Sequence, residues 1–180
     1  MTAETLSALP SRGKNGALPT IVASARITTP LGEMVAGASA EGICLLEFAD
    51  RLEAEIKHPR LLPGPSRHLD ALRRELDLYF AGRLQEFKVP LVMAGTDFQK
   101  KVWNALRTIP YGQTRSYKQQ AAMIGRPKAV RAVGRANGDN RIAILIPCHR
   151  VIGDNGQLTG YGGGLWRKRF LLDLEQKNLK

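Results

Sequence analysis

Residues 20–28 and 33–48 alternate or cluster β-forming side chains around two turn signals, Thr29-Pro30-Leu31-Gly32 and Glu41-Gly42, and predict a small antiparallel sheet. Cys44 falls in the second stretch and reads as buried packing. Pro63-Gly64-Pro65 marks a loop. Beyond it, Leu69, Leu72, Leu76, Tyr79 and Phe80 recur at helical spacing, so an amphipathic helix ending near Gly82 is expected, its apolar residues in the core. Thr96-x-x-Gln99 then forms a capping box for a helix with Phe98, Val102 and Leu106 inward, closed by Pro110-Tyr111-Gly112. A second box, Ser116-x-x-Gln119, starts a short helix that stops at Gly125. Pro127 suits the first turn of the next helix, which runs to about Gly138.

The fold class this pattern predicts is α+β: a small N-terminal antiparallel sheet with a helix, then a mostly helical C-terminal domain. Residues 1–19 lack periodicity and read as a flexible tail, with domains over 20–90 and 91–180. The short helices on either side of Gly125 predict a helix-turn-helix with 127–137 as its recognition element. There Lys128, Arg131 and Arg135 share one side, Val130 and Val133 lie toward the other, and Ala129, Ala132 and Ala136 border the basic stripe. Small residues let a helix backbone approach a partner closely. Taken singly, each cation also reads as part of a solvated charged face.

Charge changes that balance. The net charge is +11, and all of it sits in residues 91–180, with 16 Lys and Arg against 5 Asp and Glu. Residues 1–90 hold 11 of each sign. A basic half joined to a neutral half points to a polyanion, and nucleic acid is favoured. The two cysteines, 104 positions apart, make no disulfide framework, and no apolar run approaches the roughly 20 residues of a membrane span. A reducing cytoplasm without membrane attachment fits. His58 and His68 flank the proline loop without a cysteine at metal spacing, so they read as solvated surface and no metal is expected.

The chemistry concentrates at Ile146-Pro147-Cys148-His149-Arg150-Val151, after an apolar run over 142–146. A free cysteine is mostly thiol at neutral pH, with a pKa of roughly 8.5, and a nearby imidazole or positive field supplies the reactive thiolate. Read alone, Cys148 is a small buried hydrophobe. A polar His149 and Arg150 on the lip of an apolar segment argue for a nucleophile held in a stiff, mostly dry setting. Adjacent side chains diverge on an extended backbone, so His149 reaches the sulfur only through a water or a tight bend.

These six residues resemble the active-site motif of the O6-alkylguanine-DNA alkyltransferases, the methylated-DNA–protein-cysteine methyltransferases. Ser116-Tyr117, the run from Arg126 through Pro127, Lys128, Ala129, Val130, Arg131, Ala132 and Val133 to Gly134, Asn140, Tyr161-Gly162-Gly163-Gly164 and Glu175 also stand where that family's pattern puts them. The resemblance covers most of 96–176 and, more loosely, 20–90. It implies a ribonuclease H-like N-terminal domain. It also implies stoichiometric transfer of the alkyl group from O6-alkylguanine, and from O4-alkylthymine, in double-stranded DNA to Cys148, with irreversible self-inactivation. No cofactor and no obligate protein partner are implied, and the protein would act as a monomer.

By the same resemblance His149 is the base, acting through a water and oriented by Glu175, and Tyr117 donates a proton to the departing guanine. Arg131 is the finger that fills the space of the flipped nucleotide. Lys128, Arg135, Ala129, Ala132 and Ser116 complete the DNA contacts. Asn140, Arg150, Tyr161, Gly162 and Gly163 belong to the substrate pocket, Asn140 tying the helix-turn-helix to the active-site segment. Gly162 stands where many relatives have serine, so only its backbone N–H could bind the guanine oxygen. Without the resemblance, Tyr117 reads as packing, Glu175 as a solvated helix residue, Asn140 as a turn residue and 162–164 as a connector. The alternative is a non-catalytic helix-turn-helix protein that binds DNA or recognises lesions.

Overall fold

A computed structural model describes residues 19–55 and 61–179, so His58 and nearly all of the expected tail lie outside it. The chain is α+β and forms two compact units that divide between Gly95 and Thr96, five residues later than the pattern suggests. Backbone pairing explains the shift. Ile43 N donates to Pro90 O at 2.8 Å and Val92 N to Ile43 O at 2.8 Å, which fastens 90–92 to the first unit.

In that unit β1 (Ala23–Thr29), β2 (Gly32–Ala38) and β3 (Ile43–Phe48) form an antiparallel sheet in the order β1-β2-β3, with a register shift at Gly37/Ala38. Gly32, at φ 99°, lets the chain reverse between β1 and β2. Between β2 and β3, the Ser39 hydroxyl accepts from the amides of Glu41 and Gly42. α1 (Ala49–Glu55) follows β3 directly, a helix the hydrophobic pattern does not announce. It places Ala49 and Leu52 in a buried cluster with Ile21, Val35, Cys44 and Leu45. Burial pushes the Cys44 thiol up to about 11, which keeps it protonated at neutral pH.

α2 (Arg67–Phe80) is capped by Ser66 and buries Leu69, Leu72, Leu76 and Tyr79, as its periodicity predicts, whereas Phe80, expected with them, is half-buried at the helix end. His68 corrects an expectation. It is buried, with Nε2 3.2 Å from Ala40 O, because it lies beside Leu69 at the start of the buried stripe.

The second unit begins with α3 (Asp97–Arg107), whose capping box is formed in full. Val102, Trp103 and Leu106 are buried. Phe98 is only partly buried and Gln99 takes the inward place, donating to Asp139 Oδ2 at 2.9 Å. Another complete box caps α4 (Tyr117–Met123). That helix ends in a Schellman motif: Gly125 sits at φ 70°, its N–H bonds Ala122 O, and Arg126 N bonds Ala121 O. α5 (Val130–Gly138) starts three residues after Pro127, not at it. Ala129 N bonds Arg126 O instead, so 126–129 form a turn that ends where the helix begins.

A two-residue strand β4 (Arg115–Ser116) pairs in parallel with β5 (Val151–Ile152), which sets the start of α4 beside the segment after Arg150. α6 (Leu165–Lys177) closes the unit. No helix among the described residues is long and apolar enough to cross a membrane.

Gly42 packs directly on the 90–92 segment: a Cβ there would lie 2.5 Å from Pro90 O. Backbone cannot yield as a flexible side chain can. Gly42→Ala should therefore destabilise the first unit by about 1–3 kcal/mol, read as a lower urea midpoint with an unchanged slope.

Candidate active site

Cys148 owes its position to two nested turns. Pro147, at φ −82° and ψ 64°, is the centre of an inverse γ-turn in which Cys148 N bonds Ile146 O at 2.8 Å. Residues Cys148–Arg150 then form a 3-10 turn, with Arg150 N bonding Pro147 O at 3.0 Å. Upstream, Ile144 holds a φ of 71°, a left-handed conformation that costs a branched residue about 1–3 kcal/mol. The buried segment 142–146 holds it there. Asn140 braces the same segment. Its Oδ1 accepts from Ile142 N at 2.9 Å, and its Nδ2 donates to Ile146 O at 2.9 Å and reaches Cys148 Sγ at 3.6 Å.

The turn sends its three side chains to different places. Cys148 is half-buried on the wall of a cavity of about 230 Å³ that Tyr117, Gly134, Asn137, Gly138, Gly160, Tyr161 and Gly162 also line. His149 is fully buried and its Nε2 lies 2.7 Å from Glu175 Oε1. Arg150 clamps the same carboxylate through Nε at 2.9 Å and Nη2 at 3.0 Å and gives Nη1 to Ile109 O at 2.7 Å. Gly112 N adds a bond to Glu175 Oε2 at 2.9 Å.

Burial alone would raise the Glu175 carboxyl, but His149 and Arg150 outweigh it and hold it well below the usual range. Burial also lowers the His149 pKa, against the opposing pull of Glu175, so the imidazole is neutral at pH 7. Arg150 is therefore the cation that keeps Glu175 ionised. An ionised carboxylate only accepts, so Nε2 of the neutral ring carries the proton and Nδ1 presents a lone pair. Nδ1 is buried and finds no hydrogen-bond partner among the described residues.

Across the cavity wall, the Tyr117 hydroxyl donates to Thr159 O (3.1 Å) or Gly160 O (3.2 Å). Burial raises its pKa, and the Cys148 charge adds to that. Gly160 sits at φ 55°, and a Cβ there would lie 3.0 Å from that hydroxyl, so any other residue would be strained and would crowd the phenol. Lys168, wholly buried, gathers the carbonyls of Val151, Thr159 and Gly160 around Nζ, the second at 2.7 Å. Burial pushes its ammonium down to about 8.

Residues 97–177 match the sequence pattern of the 6-O-methylguanine DNA methyltransferase, DNA binding domain. A methylated-DNA–protein-cysteine methyltransferase of Methanosarcina barkeri is 47% identical over 154 residues, covering 86% of this chain and 97% of that protein. The chain belongs to this methyltransferase family. A relative of the same description from Methanosarcina acetivorans is 48% identical over 147 residues, 82% of this chain and 94% of its own. The crystal structure of Mycobacterium tuberculosis OGT in complex with DNA is similar with a TM-score of 0.77 at 47% identity, over 86% of this chain and 93% of that one.

For this methyltransferase chain the geometry sorts the expected site residues. Tyr117, Cys148, Tyr161 and Gly162 meet at the cavity, with His149 and Glu175 joined to each other. Arg150 does not line the cavity as expected. Its guanidinium is spent on Glu175 and Ile109, and it lies 5.8 Å over the Tyr111 ring. Gly163 does not line it either; its carbonyl accepts from Arg167 Nη1. Asn140 stands at the sulfur, outside the lining. Ser116 is buried and its hydroxyl is used in capping α4, which removes it from an exposed DNA surface.

On α5, Arg131, Ala132 and Arg135 are exposed, as is Lys128 in the preceding turn, whereas Ala129 is half-buried and Ala136 is buried against expectation. Trp103 Nε1 donates to Ala136 O at 2.8 Å, so that side of the helix faces α3. Gly134 and Gly138 of the same helix line the cavity, a role the basic spacing conceals. Lys168 was equally hidden, as one cation within Arg167-Lys168-Arg169.

Both depressed pKa values bear on acid stability. The unfolded chain takes up protons as pH falls below about 6.5 for histidine and about 4.5 for glutamate, whereas the folded site binds them only at lower pH. Stability should therefore drop in acid, first through His149 and then through Glu175. The thermal midpoint is expected to fall between pH 7 and about pH 5, and His149→Gln should flatten that first part only. A wild-type midpoint constant across that window would contradict the neutral buried imidazole.

Proposed function

We propose that this chain repairs O6-alkylguanine in double-stranded DNA, with O4-alkylthymine as a second substrate, by moving the alkyl group to Cys148. The observation that carries this reading is a half-buried thiol on the wall of a cavity whose other lining comes partly from α5, the helix that exposes Arg131 and Arg135. A base buried in the stack cannot reach such a sulfur, so the nucleotide must be flipped out. The two helices around Gly125 would serve as the helix-turn-helix, with Lys128, Arg135, Ala129 and Ala132 at the DNA backbone and Arg131 filling the vacated space.

His149 Nδ1 takes the thiol proton by way of a water, with Glu175 holding the ring through Nε2. The Asn140 amide, 3.6 Å from the sulfur, favours its charged form. The thiolate attacks the saturated carbon: an S–C bond forms, the C–O6 bond breaks, and the electron pair leaves with guanine. Tyr117, kept protonated by burial, turns from its carbonyl partners to protonate the departing base. The thioether cannot be discharged, so each molecule acts once, without a cofactor. Arg150 serves the carboxylate and not the substrate. The protein would act as a cytoplasmic, DNA-associated monomer. A purely lesion-binding role would leave the thiol and its buried base without a purpose.

Incubation with an oligonucleotide containing O6-methylguanine should add one methyl group, about 14 Da, to Cys148 and none to Cys44. Intact and peptide mass spectrometry read this out, and an unchanged mass or a label on Cys44 would sink the proposal.

Arg131→Ala should slow repair of duplex DNA far more than attack on a free, small alkylguanine. Only the duplex reaction carries the few kcal/mol of extrusion that the side chain offsets. Equal slowing of both substrates would assign Arg131 to the chemistry or the fold.

A further inference from the structure

Asn137 lines the cavity, and both ends of its amide are bonded to a side chain of the neighbouring helix. Its Nδ2 donates to Gln120 Oε1 at 2.7 Å, and Gln120 Nε2 returns a bond to Asn137 Oδ1 at 3.0 Å and donates to Val102 O at 3.3 Å. Gln120, on α4, has no exposed surface, and Asn137 is buried on α5. One reciprocal amide pair thus joins α3, α4 and α5 immediately behind the cavity wall.

Stability does not require such a pair, since two apolar side chains of similar shape can replace paired buried amides almost neutrally. What the pair supplies is direction. An amide bound at both ends cannot rotate, and the flanking α5 residues of the wall, Gly134 and Gly138, have no side chains with which to hold the surface. A Cβ on Gly138 would meet nothing within 4 Å, so α5 presents no packed side chain at that position of the wall.

We infer that Gln120 is a positioning residue for the alkyl transfer: it holds the Asn137 amide against the core and keeps the wall shaped for the extruded base. This rests on the transfer reading above. Gln120→Leu leaves the Asn137 amide unpaired, and a buried unpaired amide seeks a partner in the cavity. Gln120→Leu/Asn137→Met removes both amides and leaves an apolar wall with nothing to misdirect.

Single-turnover transfer from O6-methylguanine, in duplex DNA and as the free base, tests this. Gln120→Leu should lower the maximal rate about tenfold or more on both substrates, with DNA affinity and the rate of Cys148 alkylation by iodoacetamide unchanged. The double variant should recover part of that loss and transfer about threefold or more faster than Gln120→Leu. A wild-type maximal rate in Gln120→Leu overturns the inference. So does a loss of transfer that iodoacetamide reactivity follows, which marks a fold defect. If Gln120→Leu does not fold, Gln120→Met, which keeps the side-chain length and removes both bonds, takes its place in the same comparison and is read by the same outcomes. Absence of transfer in the wild-type protein would instead bring down the repair reading, and this inference with it.

Discussion

The second unit depends on one carboxylate. Glu175 has no exposed surface, and it collects bonds from the His149 imidazole, the Arg150 guanidinium and the Gly112 amide. Those partners come from the 3-10 turn and from the loop after α3, so a single side chain of α6 fastens three segments. Such a group is tolerable in the interior because every bond is made. Removing one charge of a buried pair typically costs about 3–5 kcal/mol, whereas the intact pair adds little over a well-packed apolar cluster. The value of the arrangement is geometric: it fixes the ring tautomer that leaves Nδ1 with a lone pair, two covalently adjacent residues serving one anion in different ways.

Around that anchor, short pairings do the positioning. The parallel β4-β5 pair is only two residues long, yet it sets Tyr117, the first residue of α4, near the segment that carries Cys148. Lys168 draws the carbonyls of Thr159 and Gly160 together, and Tyr117 bonds the same two carbonyls. The phenol and the glycine-rich wall are therefore held by a shared framework. α5 works on more than one side, with arginines outward, Ala136 on α3, and Gly134 and Gly138 at the cavity.

What the chain's pattern reveals divides by range. The two capping boxes, the stripe of α2 and the α+β class were legible because their causes lie within a few residues. That Cys148 and not Cys44 stands at a cavity was legible from its neighbours and the family resemblance. The onset of α5 at Val130 was not, since a turn bond from Ala129 to Arg126 competes with the helix start that Pro127 suggests. Arg150 was misplaced because its partner lies 25 positions away, and nothing local shows a guanidinium turning inward. Gln120 with Asn137, buried Lys168 and buried His68 were hidden for the same reason: each polar group is satisfied by a partner distant in sequence. α1 is a different failure, a short helix attached to a strand with no break to mark it.

The distance along the chain between nucleophile and anchor has a consequence during synthesis. Glu175 is added 27 residues after Cys148, and its bond to Gly112 spans 63. At about 5–20 residues per second, roughly 1–5 s separate the two. Through that interval the sulfur belongs to a segment without its carboxylate, its clamped arginine or a fixed imidazole. On the ribosome the growing polypeptide carries an ordinary thiol. In the proposed reading, the group that can be spent only once becomes reactive when α6 docks, so a nascent chain is spared from consuming it prematurely.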